Sequence, residues 1–317
     1  VANGTPLSRQ AGPPYRLHLR HWLSPGDVVA LTAAVESLHR AYPGQYQTSV
    51  QTTCQELWRY NPRVCDVPAH ECHIVEMKYD AIHQCGQRPV SFMAAFCEHL
   101  GQEIGKPVPL LTSKPHLYLG PDEGVLDAVR DVGPYVIVNA GRKSDYTAKF
   151  AGTHFWQEMA DRLKGRVAVV QVGEANPHHL HRPLSGVLDL VGKTSVREFL
   201  RLVRYSRAAA GPVSFLLHTS AAFGVPYVCA AGGREEPSWV SYNSTVYLHT
   251  MGQLDCCRER ACWRSRTVPL GDGDRKDGSV CSLPVVQPDG EYIPRCLQMV
   301  GPERVASAIH QILDGGA

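Results

Sequence analysis

The ordered pattern of the chain begins at Tyr15, where the short strand-like run RLHLRH leads into the turn Ser24-Pro25-Gly26-Asp27. Val28, Leu31, Val35, Leu38 and Tyr42 then recur at steps of three and four, which predicts an amphipathic helix lying on a sheet. Pro43-Gly44 stops that helix, and the alternating run Tyr46 to Thr52 reads as the next strand. ELWRYNP, ending at Pro62, reads as a further helix, His73 to Tyr79 as a third strand, and Ser91 to Leu100 as a helix. Strands that alternate with helices in this way predict an open parallel sheet.

The pattern changes between Pro115 and Pro134, where Gly120-Pro121 and Gly133-Pro134 bracket a polar stretch, and then restarts. YVIVNAG is a buried-strand pattern, and Phe155, Met159 and Leu163 mark a helix. VAVVQVG is a second strand ending in a Gly turn. In GKTSVREFLRLVRYS, Ser195 and Glu198 have the spacing of a capping box. Gly224 and Pro226 stop the next short helix, and Tyr227 to Ala231 is again a strand. Gly301-Pro302 opens a last helix with Val305, Ile309 and Ile312 on one face. The expected fold is therefore α/β, with two Rossmann-like lobes facing a cleft, where ligands bind at the carboxyl ends of the strands.

Composition narrows this little. A chain of 317 residues holds two domains of about 150 residues comfortably. A formal charge of +2 does not argue for nucleic acid, and no apolar run approaches the roughly 18 residues that span a bilayer. Residues 1–14 contain no apolar signal core and read as a flexible polar tail. Eleven cysteines, an odd number, fit poorly with complete internal disulfide pairing, so the expected location is cytoplasmic. Cys54, Cys65, Cys72, Cys85, Cys97 and Cys229 are scattered among apolar neighbours and are expected as buried free thiols.

The other five are Cys256, Cys257, Cys262, Cys281 and Cys296, in a stretch with little apolar content that includes Trp263 and GDGDRKDG. Four thiolates around zinc or iron would supply the folding free energy such a segment lacks. Side chains of consecutive residues diverge, so Cys257, Cys262, Cys281 and Cys296 are the expected ligands of a structural ion. Two disulfides or reduced surface thiols are the alternatives.

GDVVALTAAVESLHRAYP, NAGRKSDYTAKFAGTHFWQEMADRL, VGKTSVREFLRLVRYS and SFLLHTSAAFGVPYV, in this order, resemble glycosyltransferase family 9, the ADP-heptose:lipopolysaccharide heptosyltransferases. The resemblance runs from about Tyr15 to Ala231, and the cysteine cluster is similar to the iron-bearing insert of autotransporter heptosyltransferases. It implies the GT-B fold and inverting transfer from a nucleotide-diphosphate sugar, ADP-sugar favoured, without an obligatory metal. The implied division is an acceptor lobe over 15–125, a nucleotide-sugar lobe over 126–250, a cysteine-rich metal-binding segment over 251–300 and a terminal helix over 301–317.

Residue by residue, the resemblance makes Asp27 the base, Lys149 the contact to the diphosphate and Glu174 the acceptor for the ribose hydroxyls. It sets Lys193, Thr194 and Ser195 at a helix start facing the nucleotide, with Ser214 and His218 beside the diphosphate. Each has a plainer reading. Asp27 and Ser195 cap helices, Lys149 and Glu174 are solvated loop charges, and His218 is a core histidine. Lys143 and Arg142 are substitutes for Lys149. Where the family shows an acid five residues before the histidine, this chain has Val213, which puts heptose in doubt. The acceptor stays open among saccharides, hydroxylated bases in modified DNA and protein serines. A homo-oligomer and a non-catalytic metal-dependent binding module are open as well.

Overall fold

The computed structural model describes residues 13–84, 87–240 and 242–315. Cys85 and most of the expected tail, residues 1–12, lie outside them. Strand β1 (Tyr15–His21) buries Leu17 and Leu19 and is the centre of a three-stranded parallel sheet. On one side it pairs with β2 (Tyr46–Thr52), Leu19 against Val50; on the other with β3 (His73–Glu76), Leu19 against Val75. Between β1 and β2 runs α1 (Pro25–Ala41), whose whole length from Val28 to Leu38 is buried, more than an amphipathic stripe requires. Helix α2 (Phe92–Glu103) packs beside it, started by Ser91, whose hydroxyl accepts from the Ala94 N–H at 3.1 Å.

The expected helix at ELWRYNP is instead a 3₁₀ turn, Gln55–Trp58, and Tyr60 just after it takes a left-handed φ of 64°. The third strand also stops at Glu76, short of Tyr79. After a connection that includes the single turn α3 (Asp127–Arg130), the chain builds a second, six-stranded sheet. Its elements in sequence are β4 (Tyr135–Val138), α4 (Thr153–Leu163), β6 (Ala168–Gln171), β8 (Leu188–Asp189), α5 (Val196–Arg204), β9 (Ala208–Gly211), α6 (Phe215–Phe223), β10 (Tyr227–Gly232) and β11 (Thr245–His249). All its pairings are parallel, in the order β11-β10-β9-β4-β6-β8. A two-residue ribbon, β5 (Arg142–Lys143) with β7 (His179–Leu180), crosses the loops that follow β4 and β6. The hairpin β12 (Pro284–Val286) and β13 (Tyr292–Pro294), then α7 (Arg295–Val300) and α8 (Pro302–Leu313), complete the chain.

The periodicity does not announce β9. Its Ala208, Ala209 and Ala210 are fully buried in mid-sheet, where small side chains leave room on both faces, although alanine is a weak strand former. A buried ion pair ties the second sheet to the connection. Arg197 at the start of α5 donates through Nε to Glu123 at 2.8 Å and through a second nitrogen to the other carboxylate oxygen. It also donates to the carbonyls of Tyr118 (2.8 Å) and Glu56 (3.1 Å), so one guanidinium joins three segments. The pair holds the Glu123 carboxyl down, at about 2.

Candidate active site

The site forms where the first turn of α1 meets α6 and the loops at the carboxyl ends of β4 and β10. Asp27 accepts from both the backbone N–H (3.2 Å) and the hydroxyl (2.9 Å) of Ser24, so the capping role expected of it is real. The same carboxylate faces inward. Burial raises it above the usual Asp range, against the opposing pull of Ser24, His21 and Lys149. Burial, and after it the nearby Asp27 charge, keeps the Tyr79 phenol protonated far above its ordinary value. Gly26 makes the close approach possible, since a Cβ there would stand 3.1 Å from Cδ2 of His218.

His218 is a satisfied core histidine that also borders the site. Its Nδ1 is 2.7 Å from the Tyr242 hydroxyl, and burial, with the Lys149 charge behind it, depresses the imidazole to about 3. It is therefore neutral at physiological pH. The same burial and the Asp27 charge keep Tyr242 protonated, so the hydroxyl can act as a donor there.

Lys149 closes the 3₁₀ turn Thr147–Lys149 that follows β5. Its ammonium donates to Glu235 at 2.7 Å and to the Val213 carbonyl at 3.4 Å, with 27% of the side chain exposed. Val213 thus contributes its backbone carbonyl to Lys149, whose carboxylate partner is Glu235, four per cent exposed. Arg234 shares that Glu235 oxygen at 2.7 Å. Neither residue was singled out from sequence. The signal was available: GGREE follows a buried central strand directly, and charged residues at such a carboxyl end are candidates by position. The substitutes for Lys149 are engaged elsewhere, Lys143 with Asp145 at 3.3 Å and Arg142 over the Phe150 ring at 5.9 Å.

The remaining predicted residues spread along the neighbouring strand ends. Glu174 is exposed just beyond β6 and meets His179 at 3.2 Å rather than the Asp27–Lys149 group. The Gly192 to Ser195 loop lies beside it, joined by the Gly192 N–H to the Gly173 carbonyl at 2.9 Å. There Lys193 is folded onto the Asp189 carbonyl at 2.8 Å, Thr194 is half-buried, and Ser195 forms the predicted capping box with Glu198. Ser214 is the N-cap residue of α6 but its hydroxyl makes no capping bond.

All five clustered cysteines line one small cavity of about 10 Å³. Cys256 and the adjacent Cys257, in the 3₁₀ turn Asp255–Cys257, both border it. Room for the sulfurs comes from Gly232 and Gly233. A Cβ on either would fall 2.8 Å from Cys296 Sγ or 2.5 Å from Cys257 Sγ. Among the described residues every cysteine is a free thiol, and no three Cys, His, Asp or Glu side chains form a ready ligand set. Of the scattered thiols, Cys54, Cys97 and Cys229 are buried as expected, whereas Cys65 is exposed and Cys72 partly so. Among the described residues no helix is long and apolar enough to cross a membrane.

No family model and no curated protein matches the chain. Solved structures do. A glycosyl transferase family 9 protein from Veillonella parvula DSM 2008 superposes with a TM-score of 0.64 at 13% identity, covering 94% of this chain and 97% of that one. E. coli ADP-heptose LPS heptosyltransferase II gives 0.57 at 15% identity, covering 95% and 99%. The iron-containing dodecameric glycosyltransferase TibC from enterotoxigenic E. coli H10407 gives 0.61 at 16%, covering 96% and 77%. At these identities the likeness is one of architecture: the chain has the two-sheet α/β fold of the family 9 glycosyltransferase structures.

Proposed function

We propose that this protein is an inverting glycosyltransferase that moves a sugar from a nucleotide-diphosphate donor, ADP-sugar favoured, to an acceptor hydroxyl. The observation that carries it is that Asp27 and Lys149 gather at the start of α6: Gly26, next to Asp27, packs against Phe215, and Lys149 donates to the Val213 carbonyl at 3.4 Å. A carboxylate raised by burial and a partly exposed ammonium thus share one helix start, within a fold shared with enzymes named for this reaction. Asp27 takes the acceptor proton as the oxygen attacks the anomeric carbon and the bond from that carbon to the diphosphate oxygen breaks. Lys149 and the start of α6, with Ser214, answer the charge that grows on the leaving diphosphate. Glu174 suits a vicinal diol, and Lys193, Thr194 and Ser195 line the nucleotide side. Glu235 sets a carboxylate beside Lys149 although Val213 has none, which favours the catalytic reading over a decayed, purely binding fold. The sugar and acceptor are not specified by these contacts.

The test is acceptor-dependent release of ADP from ADP-sugars. Asp27→Asn is expected to lower turnover by about 10²–10⁴ while ADP still binds; turnover unchanged in that variant would remove Asp27 as base. Because the carboxyl is raised, wild-type activity is lost as pH falls through a value above the ordinary Asp range. A pH–rate profile whose acid limb is absent, or survives in Asp27→Asn, counts against it.

We propose further that the cysteine cavity closes around a structural iron or zinc ion. Its lining brings together five thiols, the soft ligands either metal takes, along with Arg234, Arg264 and Arg295 and no carboxylate. Cys257, Cys262, Cys281 and Cys296 are the proposed ligands, with Cys256 now a competitor for one place. Elemental analysis is expected to find a single iron or zinc ion per chain; metal-free protein with an unaltered fold would exclude the ion.

A further inference from the structure

Three cations meet on the ring of Tyr146, one of them supplied by the cysteine-rich segment. Lys149 Nζ, Arg234 Cζ and Lys276 Nζ lie 5.8, 5.3 and 5.5 Å from the Tyr146 ring centroid. They come from three separate stretches of chain. Lys149 also donates to the Val213 carbonyl at 3.4 Å, just before α6, and Gly26 beside Asp27 packs against Phe215 in the first turn of that helix. A phenol ring has two faces, so attraction to the ring does not by itself account for three mutually repelling cations. Glu235 answers Lys149 and Arg234, each at 2.7 Å, and Asp274 answers Lys276 at 3.3 Å. With Arg266 and its three aspartates counted, four cations face four carboxylates, so what this group offers an anion is unspent donors rather than net charge.

We propose that the cysteine-rich segment supplies Lys276 as a further binding residue for the donor's diphosphate, beside Lys149. Arg234 and Glu235 are the positioning residues of this pair. An ammonium has three donors. Lys149 spends one on Glu235 and makes a long contact to Val213, and Lys276, 31% exposed, makes one to Asp274. Both therefore keep donors for phosphate oxygens. The two lysines also ride on backbone that is joined. Ala148 N–H donates to the Ser265 carbonyl at 3.1 Å, and Ser265 N–H to the Ser279 carbonyl at 2.9 Å. Thr267 N–H donates to the Thr147 hydroxyl at 2.9 Å. Lys276 itself lies in the 3₁₀ turn Arg275–Gly278, started by Asp274, which accepts from the Lys276 N–H at 2.9 Å. Arg234 anchors the other side, donating to the Arg264 carbonyl at 2.6 Å.

The inference rests on the nucleotide-diphosphate reading above, and calorimetric titration of the full chain with ADP and with adenosine separates the two. Lys276→Ala is expected to weaken ADP by roughly tenfold or more, leave adenosine unchanged and flatten the salt dependence of ADP binding. Lys276→Arg should recover most of the loss. In the unaltered chain, ADP should also shield Lys276 from acetylation by an amine reagent, read by mass spectrometry. No ADP binding by the wild type overturns both readings. ADP binding that Lys276→Ala leaves intact, or acetylation of Lys276 that ADP does not slow, overturns this one alone.

Discussion

The N-terminal sheet with its helices and the segment from Met251 to Leu283 are held together by different physics. In the first, α1 is encased by Leu17, Leu19, Val75, Phe96 and Leu100, and the hydrophobic effect carries the structure. In the second, the buried side chains are Cys257, Ala261, Arg266 and Thr267. Arg266, one per cent exposed, is the centre of a carboxylate shell: Asp272 holds it through two bonds at 2.7 and 2.8 Å, with Asp277 and Asp274 alongside. Asp277 in turn accepts from the Leu270 and Gly271 N–H groups, both at 2.8 Å. GDGDRKDG, which looks like a solvated charge run, is a wrapping around one guanidinium. An apolar core stabilises by area and tolerates rearrangement, whereas this shell depends on each partner being present.

The contrast can be broken by single substitutions. The largest effect is expected from Leu31→Ala in α1, which should cost about 2–5 kcal/mol and shift the main denaturant midpoint without local signs. A loss confined to residues near α1 in hydrogen exchange would contradict a shared core. A smaller global effect is expected from Arg266→Met, because so little apolar area depends on it. Here limited proteolysis should open between residues 268 and 280 while the main transition stays in place. If that transition fell as far as in Leu31→Ala, the segment would be part of the common cooperative unit.

The same contrast decides what was legible beforehand. α1 and β2 were readable because side-chain periodicity is a local property, visible in any window of a dozen residues. β9 was not, since three alanines carry no periodic signal and are strand only because β4 and β10 flank them. At the candidate site, Asp27 and Lys149 were singled out through the order of several segments, and His218 and Ser195 have the structural contacts weighed for them. Glu235 and Lys276 escaped because their meaning lies in distances between residues far apart in sequence, 86 positions separating the Lys149–Glu235 pair. Tyr60's left-handed backbone, which ends the expected helix early, is likewise set by its surroundings: its ring fills the space beside Gly120.

One consequence follows from the position of Lys149 within electrostatic reach of both Asp27 and His218. Its charge holds the aspartate's proton affinity down; a bound diphosphate would cancel that charge and bring negative charge of its own. On the proposed function, donor binding and protonation at Asp27 are thermodynamically linked, and the carboxylate becomes the stronger base only when the sugar to be transferred is in place. The protein would then take up protons as it takes up ADP, most strongly just above the free-state titration of Asp27. Binding enthalpies that vary among buffers of different ionisation heat, and cease to vary in Asp27→Asn, are the expected record of a base that waits for its substrate.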